Sequence, residues 1–433
     1  MNFQQQIAQS LIWRGLYFVT ILVMNIFVSR YFEAGNAGWI FYLCNNFSFL
    51  LILVGLTIEN GVNYYASKKE IDDKQLTWFA LAWTTMVAVV VFIGLWFYFG
   101  RYKDTTVITR SQYLYYAVCY ISGIQLTNFF TVLFYTKKNF FLPNFLMVLL
   151  NIIFIIIIPK QEGIEHTNSS VFIKLYFGYF LLTGVVLTIA FIIKNKSHQK
   201  VTLPSFGSLK LLIRYALMAL AANVIFFLVY RIDYWFVNRF CSAEELGNYI
   251  QVSKLGQMLL IIPTIISSVV FPHTAGGGGL QLSQMKDNIL RIGRFTTVLY
   301  LLLFLVVLLI GKYFFPWIFG STFQLMYLPF LILLPGIWAL SNLFILSAYF
   351  GGVNKVKVNI QGACVGLVLI LAGDLLLIPT YGMYAAAVVS TIGYIATFLY
   401  SFFHISKEHS VSITQYWSFN KDDIKWLQAI IKR

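Results

Sequence analysis

Charge is what this chain has least of: Asp, Glu, Lys and Arg together make up 11% of its 433 residues, while hydrophobic residues make up 59%. A soluble domain carries roughly 25% charged residues, because most of its surface must meet water. The shortage excludes a soluble fold of this size and calls for lipid as solvent, in which helices and closed barrels are the spanning structures. Cysteine is scarce too. Cys44, Cys119, Cys241 and Cys364 lie far apart without a CxxC or Cys/His pattern, which leaves small packing residues rather than a metal or redox centre. Neither His166, His198, His273, His404 nor His409 stands at ligand spacing from another. No GxxxxGK[ST] occurs, which excludes an ATP-driven motor, and Gly276–Gly279 lacks the Lys that would make it a phosphate cradle and reads as a flexible linker. No carboxylate pair stands in an outer segment to serve as general acid and base. The expectation is a protein that is not an enzyme and needs no cofactor or metal.

Apolar runs fill the space that charge leaves. They fall near 11–31, 38–58, 77–99, 112–135, 142–158, 172–193, 209–230, 249–271, 295–319, 326–349, 360–379 and 382–404. Runs of about twenty residues match a helix crossing a bilayer, where barrel strands would alternate over about ten. The fold expected is therefore all-α and polytopic, with about twelve transmembrane helices. Met1–Ser10 lacks Lys and Arg and the first run lacks a cleavage site, so that run is expected to stay as the first helix.

Basic residues outnumber acidic ones, 31 to 16, for a formal charge of +15. In a soluble chain that excess points to nucleic acid; in a polytopic one it sets topology, and no nucleic-acid partner is expected. With both termini cytoplasmic, inner segments and tail collect about twenty Lys and Arg, against about eight outside. Lys68, Lys69, Lys137, Lys138, Lys421 and Lys425 are among the former, Arg101 and Lys103 among the latter. The longest connection, 194–208, follows the sixth run and divides the chain into bundles over 1–193 and 209–404. The remainder, 405–433, is too charged to span. Within it Asn420 reads as a helix cap, and Ile424, Leu427, Ile430 and Ile431 share a face opposite Lys421, Lys425 and Lys432, as in an interfacial helix on anionic headgroups.

A repeat supports two halves. Phe27-Val28-Ser29-Arg30-Tyr31 is echoed by Phe236-Val237-Asn238-Arg239-Phe240, and eight residues beyond each Arg stands Gly38 or Gly247. Gly123 with Thr127-Asn128 has a looser echo in Gly336 with Ser341-Asn342. Six helices per half make the repeat parallel, with its axis along the membrane normal.

Charges at bilayer depth cost at least about 2.5–3.5 kcal/mol each, so they mark a watery cavity or a partner. Arg14 in the first run stands either in a cavity or snorkelling to the interface. Lys254, with Gln251 and Gln257 three residues to either side, makes a polar stripe that suits a cavity wall. Arg231 and Asp233 either pair at the outer interface or act in function. Asp374 reads as a protonatable switch or a buried, hydrogen-bonded acid, the latter preferred. Glu59 closes the second run, and Lys174 snorkels. Arg14, Lys254 and Arg231 make the interior cationic, which suits an anionic cargo such as a pyrophosphate. The 27 Tyr and 10 Trp supply interface belts or stacking faces for sugar rings.

The chain resembles the polysaccharide (O-antigen-type) flippases of the multidrug/oligosaccharidyl-lipid/polysaccharide exporter superfamily. The motifs are Ser29-Arg30-Tyr31 leading to Gly38; Arg231-Ile232-Asp233 leading to Glu245-Leu246-Gly247-Asn248-Tyr249; Ile262-Pro263; and Ile378-Pro379-Thr380-Tyr381-Gly382-Met383-Tyr384-Ala385-Ala386-Ala387. The matching turn of the first half is degraded to Pro159-Lys160-Gln161-Glu162-Gly163. The resemblance implies two six-helix pseudo-repeated bundles around a central cavity. It implies an undecaprenyl-pyrophosphate-linked oligosaccharide as cargo, flipped across a bacterial inner membrane for surface polysaccharide such as O-antigen or exopolysaccharide. Arg14, Lys254 and Arg231 would hold the headgroup, Gln251 and Gln257 would line the cavity, and Asp233, Asp374 and Glu59 are the coupling candidates. Coupling to H+, Na+ or membrane potential stays open. Polysaccharide polymerase and assembly proteins are the expected partners besides the bilayer. A drug/cation antiporter of the same superfamily and a membrane polysaccharide polymerase or ligase are the alternatives.

Overall fold

In the computed structural model the described residues are 3–100, 109–157, 169–195, 204–264, 266–267, 270, 282–416 and 418. Helices occupy nearly all of them, and no strand occurs among them. The helices are α1 (Phe3–Gly55), α2 (Glu59–Ser67), α3 (Asp73–Gly100), α4 (Arg110–Thr136), α5 (Phe141–Ile157) and α6 (Ser169–Lys194). They continue as α7 (Phe206–Arg231), α8 (Asp233–Phe240), α9 (Ala243–Leu259), α10 (Leu282–Phe319), α11 (Tyr327–Gly352) and α12 (Val356–His409). Eight of the described helical stretches are long and apolar enough to cross a membrane, and α5 is a shorter apolar helix of 17 residues. The chain is a multi-pass membrane protein.

Exposed side chains show the same thing. Phe97, Ile156, Leu309, Tyr313, Trp317 and Leu376 are all at least 70% exposed. Large apolar groups in such numbers would form patches that a water-facing surface does not carry.

Two helices are too long for one crossing. At 53 and 54 residues, α1 and α12 would each measure about 80 Å, against a hydrocarbon core of roughly 30 Å. Both are interrupted: α1 at Glu33 (φ 61°, ψ 174°) and α12 at Gly382 (φ 61°, ψ −147°). The arms on either side of each break correspond to the runs near 11–31 and 38–58 and to those near 360–379 and 382–404. Glycine takes a positive φ at no steric cost, and Pro379 removes a backbone donor just before it, so the second break is written in the sequence. Glu33 has a Cβ, and holding it there costs about 1–3 kcal/mol that the packing around it must offset.

One sequence expectation needs correction here. Glu59 does not close the second helix. The helix stops at Gly55, Leu56 and Thr57 take positive φ, and Glu59 opens α2. The indole N–H of Trp83 donates to the Gly55 carbonyl (3.2 Å), satisfying a group the break exposes. The seventh run, expected near 209–230, ends at Arg231, and α8 follows after Ile232. The tail helix around Asn420, the Gly276–Gly279 run, the Pro159–Gly163 turn and most of the 194–208 connection lie outside the described residues.

The chain divides into two compact units. One comprises the residues up to Glu33 together with Ile40–Val224; the other comprises Ala34–Trp39 and the residues from Ile225 on. In the first, α4 packs along α6 because Gly123 and Gly184 let the backbones meet: a Cβ on Gly123 would fall 2.3 Å from the Phe180 carbonyl carbon. Phe129, Phe130, Phe134, Phe191, Leu212 and Ile58 form its apolar core. In the second, α11 packs along α12, and Gly336 has the matching role: its Cβ would lie 2.9 Å from the Thr391 Cα.

Candidate functional site

Each letter of the motif Glu245-Leu246-Gly247-Asn248-Tyr249 has a physical task in the second unit. Ser242 caps α9 by accepting from the Glu245 N–H (3.2 Å), and the Glu245 carboxylate accepts from the Ser242 N–H (2.9 Å) in return. This reciprocal box fixes where α9 begins. Leu246 is buried. Gly247 lies against Ala34 so closely that a Cβ there would stand 1.8 Å from the Ala34 carbonyl oxygen. The repeat partner Gly38 faces Gly247 itself, with 2.5 Å from its notional Cβ to the Gly247 Cα. The Asn248 amide donates to the carbonyls of Glu244 (2.9 Å) and Thr322 (3.0 Å), and the Ala34 N–H donates to the Thr322 hydroxyl (3.0 Å). Tyr249 reaches Asp233.

Asp233 is 1% exposed. Its Oδ2 accepts from the Tyr249 hydroxyl and from Ser390 Oγ (2.9 Å). The expected alternative of a pair with Arg231 is not what forms. The Arg231 guanidinium instead donates to Gln257 Oε1 (3.3 Å) and lies 5.5 Å from the centre of the Phe227 ring. The Gln257 amide in turn donates to Ser253 Oγ (3.3 Å).

Asp374 corrects the other expectation. It is 0% exposed, as a buried acid should be, yet neither carboxylate oxygen has a hydrogen-bond partner among the described residues. Its neighbour Gly373 is pressed against Val389, 2.7 Å from notional Cβ to Cγ1, and this packs the arm of α12 that carries Asp374 against the arm that carries Ser390. Asp374 is within electrostatic reach of Asp233. Two coupling candidates 141 positions apart in the chain thus share one interior.

The polar stripe of α9 is partly buried. Gln251 is 1% exposed and Lys254 and Gln257 are half-buried. The structure gathers Arg231, Gln257 and Ser253 into one chain of hydrogen bonds, with Lys254 next in sequence to Ser253.

In the first unit Arg14 is exposed. Its Nε donates to the Tyr135 hydroxyl (3.4 Å), and the guanidinium carbon sits 4.6 Å from the centre of that ring. The Tyr135 hydroxyl is also bonded to Asn144 (2.9 Å). Glu59 is half-buried at the head of α2, and Lys174 is exposed on α6. A second polar group here escaped the sequence reading. The Asn151 amide donates to Thr20 Oγ1 (2.8 Å) and accepts from the Tyr179 hydroxyl, all of it buried. Asn144 and Asn151, seven residues apart on otherwise apolar α5, were the signal available for it.

Comparisons with known proteins agree with this architecture. A family described as "Polysaccharide biosynthesis protein" matches residues 174–327, the stretch holding Arg231, Asp233, Gln251, Lys254 and Gln257. No curated protein matches the chain in sequence. Among solved structures, the lipid II flippase MurJ in an inward closed conformation superposes with a TM-score of 0.70 at 14% identity, covering 98% of this chain and 92% of that one. An inward-facing multidrug resistance MATE family transporter of the MOP superfamily gives 0.66 at 15%, covering 91% and 96%. A MOP superfamily transporter from Pyrococcus furiosus, described as having a binding pocket of reversed polarity, gives 0.63 at 14%, covering 93% and 94%. The resemblance carried by the motifs therefore extends to the fold over nearly the whole chain, and these structural neighbours are transporters.

Proposed function

We propose that this protein flips an undecaprenyl-pyrophosphate-linked oligosaccharide from the cytoplasmic to the outer face of a bacterial inner membrane by alternating access. The observation that carries the reading is the Arg231–Gln257–Ser253 chain beside Lys254: cations and amides organised within an apolar segment. Arg231 is held by neutral partners, Gln257 and the Phe227 ring, and a pyrophosphate is an anion that guanidinium and ammonium donors hold well. The family match over 174–327 covers the same segment. Both termini are cytoplasmic in this reading, and polymerase and assembly proteins act on the exported product.

Asp233 and Asp374 supply the coupling. Two like charges in one dry enclosure repel, so a proton or Na+ taken up between them lowers the energy of the pair. An ion gradient can then bias which conformation of the second unit is favoured. The same acids favour the second reading, a drug/cation antiporter, because buried carboxylates also suit a cationic cargo.

The two readings separate in proteoliposomes. A flippase moves undecaprenyl-pyrophosphate-linked oligosaccharide to the opposite leaflet, where an added glycosidase cleaves it, and Arg231→Ala with Lys254→Ala stops this. An antiporter leaves the lipid-linked sugar in place and moves an organic cation against H+ or Na+.

A further inference from the structure

The first unit carries a second polar site, away from Arg14, on the seam between α2 and α7. The seam is tight because Gly61 meets Leu212: a Cβ on Gly61 would lie 3.0 Å from the Leu212 carbonyl oxygen, and Ile58, Val62 and Ala216 bury the contact. Above that apolar base opens a cleft of about 630 Å³. Its α2 wall is the stripe Asn60, Asn63, Tyr64 and Ser67, residues at the spacing that puts them on one face of a helix. Its α7 wall holds Tyr215 and Asn223, with Ala219 and Ala222 between them leaving room. Tyr64 and Tyr215 stack with ring centres 4.7 Å apart and planes 20° apart, which makes a rigid aromatic wall. The side-chain amides of Asn60, Asn63 and Asn223 hold no hydrogen bond elsewhere among the described residues. Among the described residues that line the cleft there is no carboxylate and Lys68 is the one formal charge, 4.5 Å from the Tyr64 ring centre and 3.6 Å from the Glu70 carboxylate beyond the lining.

This is the chemistry of carbohydrate recognition. Amides pair a donor with an acceptor, as vicinal hydroxyls do, and phenol rings supply both an apolar face and a hydroxyl. The volume is in the range of small-molecule sites and admits more than one sugar ring. An anion site would present several cations, and a drug site would be lined mostly by apolar groups. We infer that the α2/α7 cleft is an oligosaccharide subsite, which takes the hydroxyl-rich sugar of the cargo while the cationic groups of the protein take its pyrophosphate. The inference rests on the flippase reading, and it places sugar selection at Lys68, on the side the Lys and Arg bias assigns to the cytoplasm.

The test is saturation-transfer NMR on the whole protein in lipid nanodiscs, with chitobiose, maltose and lactose as probes free of lipid and phosphate. At least one probe receives saturation from wild type; Asn63→Ala/Asn223→Ala and Tyr64→Ala lower it several-fold, and Gly94→Ala, whose added Cβ meets nothing within 4 Å, leaves it unchanged. These positions are exposed or half-buried, and circular dichroism with thermal unfolding confirms that the variants fold. Silence of all three probes on wild type, or equal transfer to the cleft variants, overturns the subsite. The flippase reading fails separately, when wild type in proteoliposomes leaves the lipid-linked oligosaccharide unflipped whatever the free sugars do.

Discussion

The two units of this protein are polar inside by different means. In the first, the buried polar side chains are neutral: Thr20, Asn25, Asn45, Gln125, Asn144 and Asn151 lie within it, several of them joined by hydrogen bonds. Its nearest candidate cation, Arg14, stays exposed against Tyr135. In the second, the interior holds Asp233 and Asp374, the two carboxylates buried among the described residues, and a half-buried Arg231 on Gln257. Neutral amides hold shape and bind hydroxyls at little electrostatic cost. Buried acids are expensive, and their state changes when a proton or cation arrives. In the proposed scheme sugar recognition falls to the first unit and coupling to the second.

The largest effect expected is on the second unit's scaffold. Gly247→Ala puts a methyl 1.8 Å from the Ala34 carbonyl oxygen, a backbone atom that cannot swing away. Thermal unfolding in detergent should show a large loss of stability, while Gly94→Ala in the first unit leaves the midpoint in place. A Gly247→Ala protein as stable as wild type would mean that Ala34 and Gly247 do not pack closely in solution.

Next come the acids. Asp374→Asn removes a buried carboxyl that has no hydrogen-bond partner among the described residues and is expected to hold or raise stability while transport stops responding to an imposed H+ or Na+ gradient. Asp233→Asn disturbs the bonds from Tyr249 and Ser390 and should lose the gradient response together with about 1–3 kcal/mol of stability. Full gradient response in both variants would remove coupling from the second unit.

Asn151→Ala tests the opposite side of the comparison. It leaves Thr20 and Tyr179 without their shared partner, so about 1–3 kcal/mol should be lost. The response to the gradient should survive in the transport that remains. The smallest effect on stability is that of Arg14→Ala, about 0.5–1 kcal/mol, because an exposed cation on a ring contributes little. A much larger loss would show Arg14 to be built into the first unit's interior.

The sequence made the helices legible because an apolar run of bilayer length has one physical interpretation. Pro379 and Gly382 marked a break for the same reason, since one lacks a donor and the other tolerates positive φ. The breaks at Glu33 and at Leu56–Thr57 carry no such signature, because residues with a Cβ adopt positive φ under pressure from their surroundings. At the candidate site the reading found Asp233, Asp374, Arg231 and Gln257 as charges and amides in the wrong solvent. It offered a pair of Arg231 with Asp233 as one of two alternatives, because they are neighbours in the chain. The real partners, Ser390 for Asp233 and Gln257 for Arg231, come from other helices. The α2/α7 cleft was illegible for a similar reason: Asn63 and Tyr215 are unremarkable until folding sets them on one seam.

The most direct measurement of the central claim is the side of the membrane on which lipid-linked sugar accumulates in cells lacking this protein. Inverted inner-membrane vesicles expose the cytoplasmic face to an added glycosidase. The account predicts undecaprenyl-linked oligosaccharide of normal repeat structure stranded on that face, with wild type relieving it and the Arg231→Ala/Lys254→Ala variant failing to. Equal distribution of the lipid-linked sugar in cells with and without the protein would contradict it.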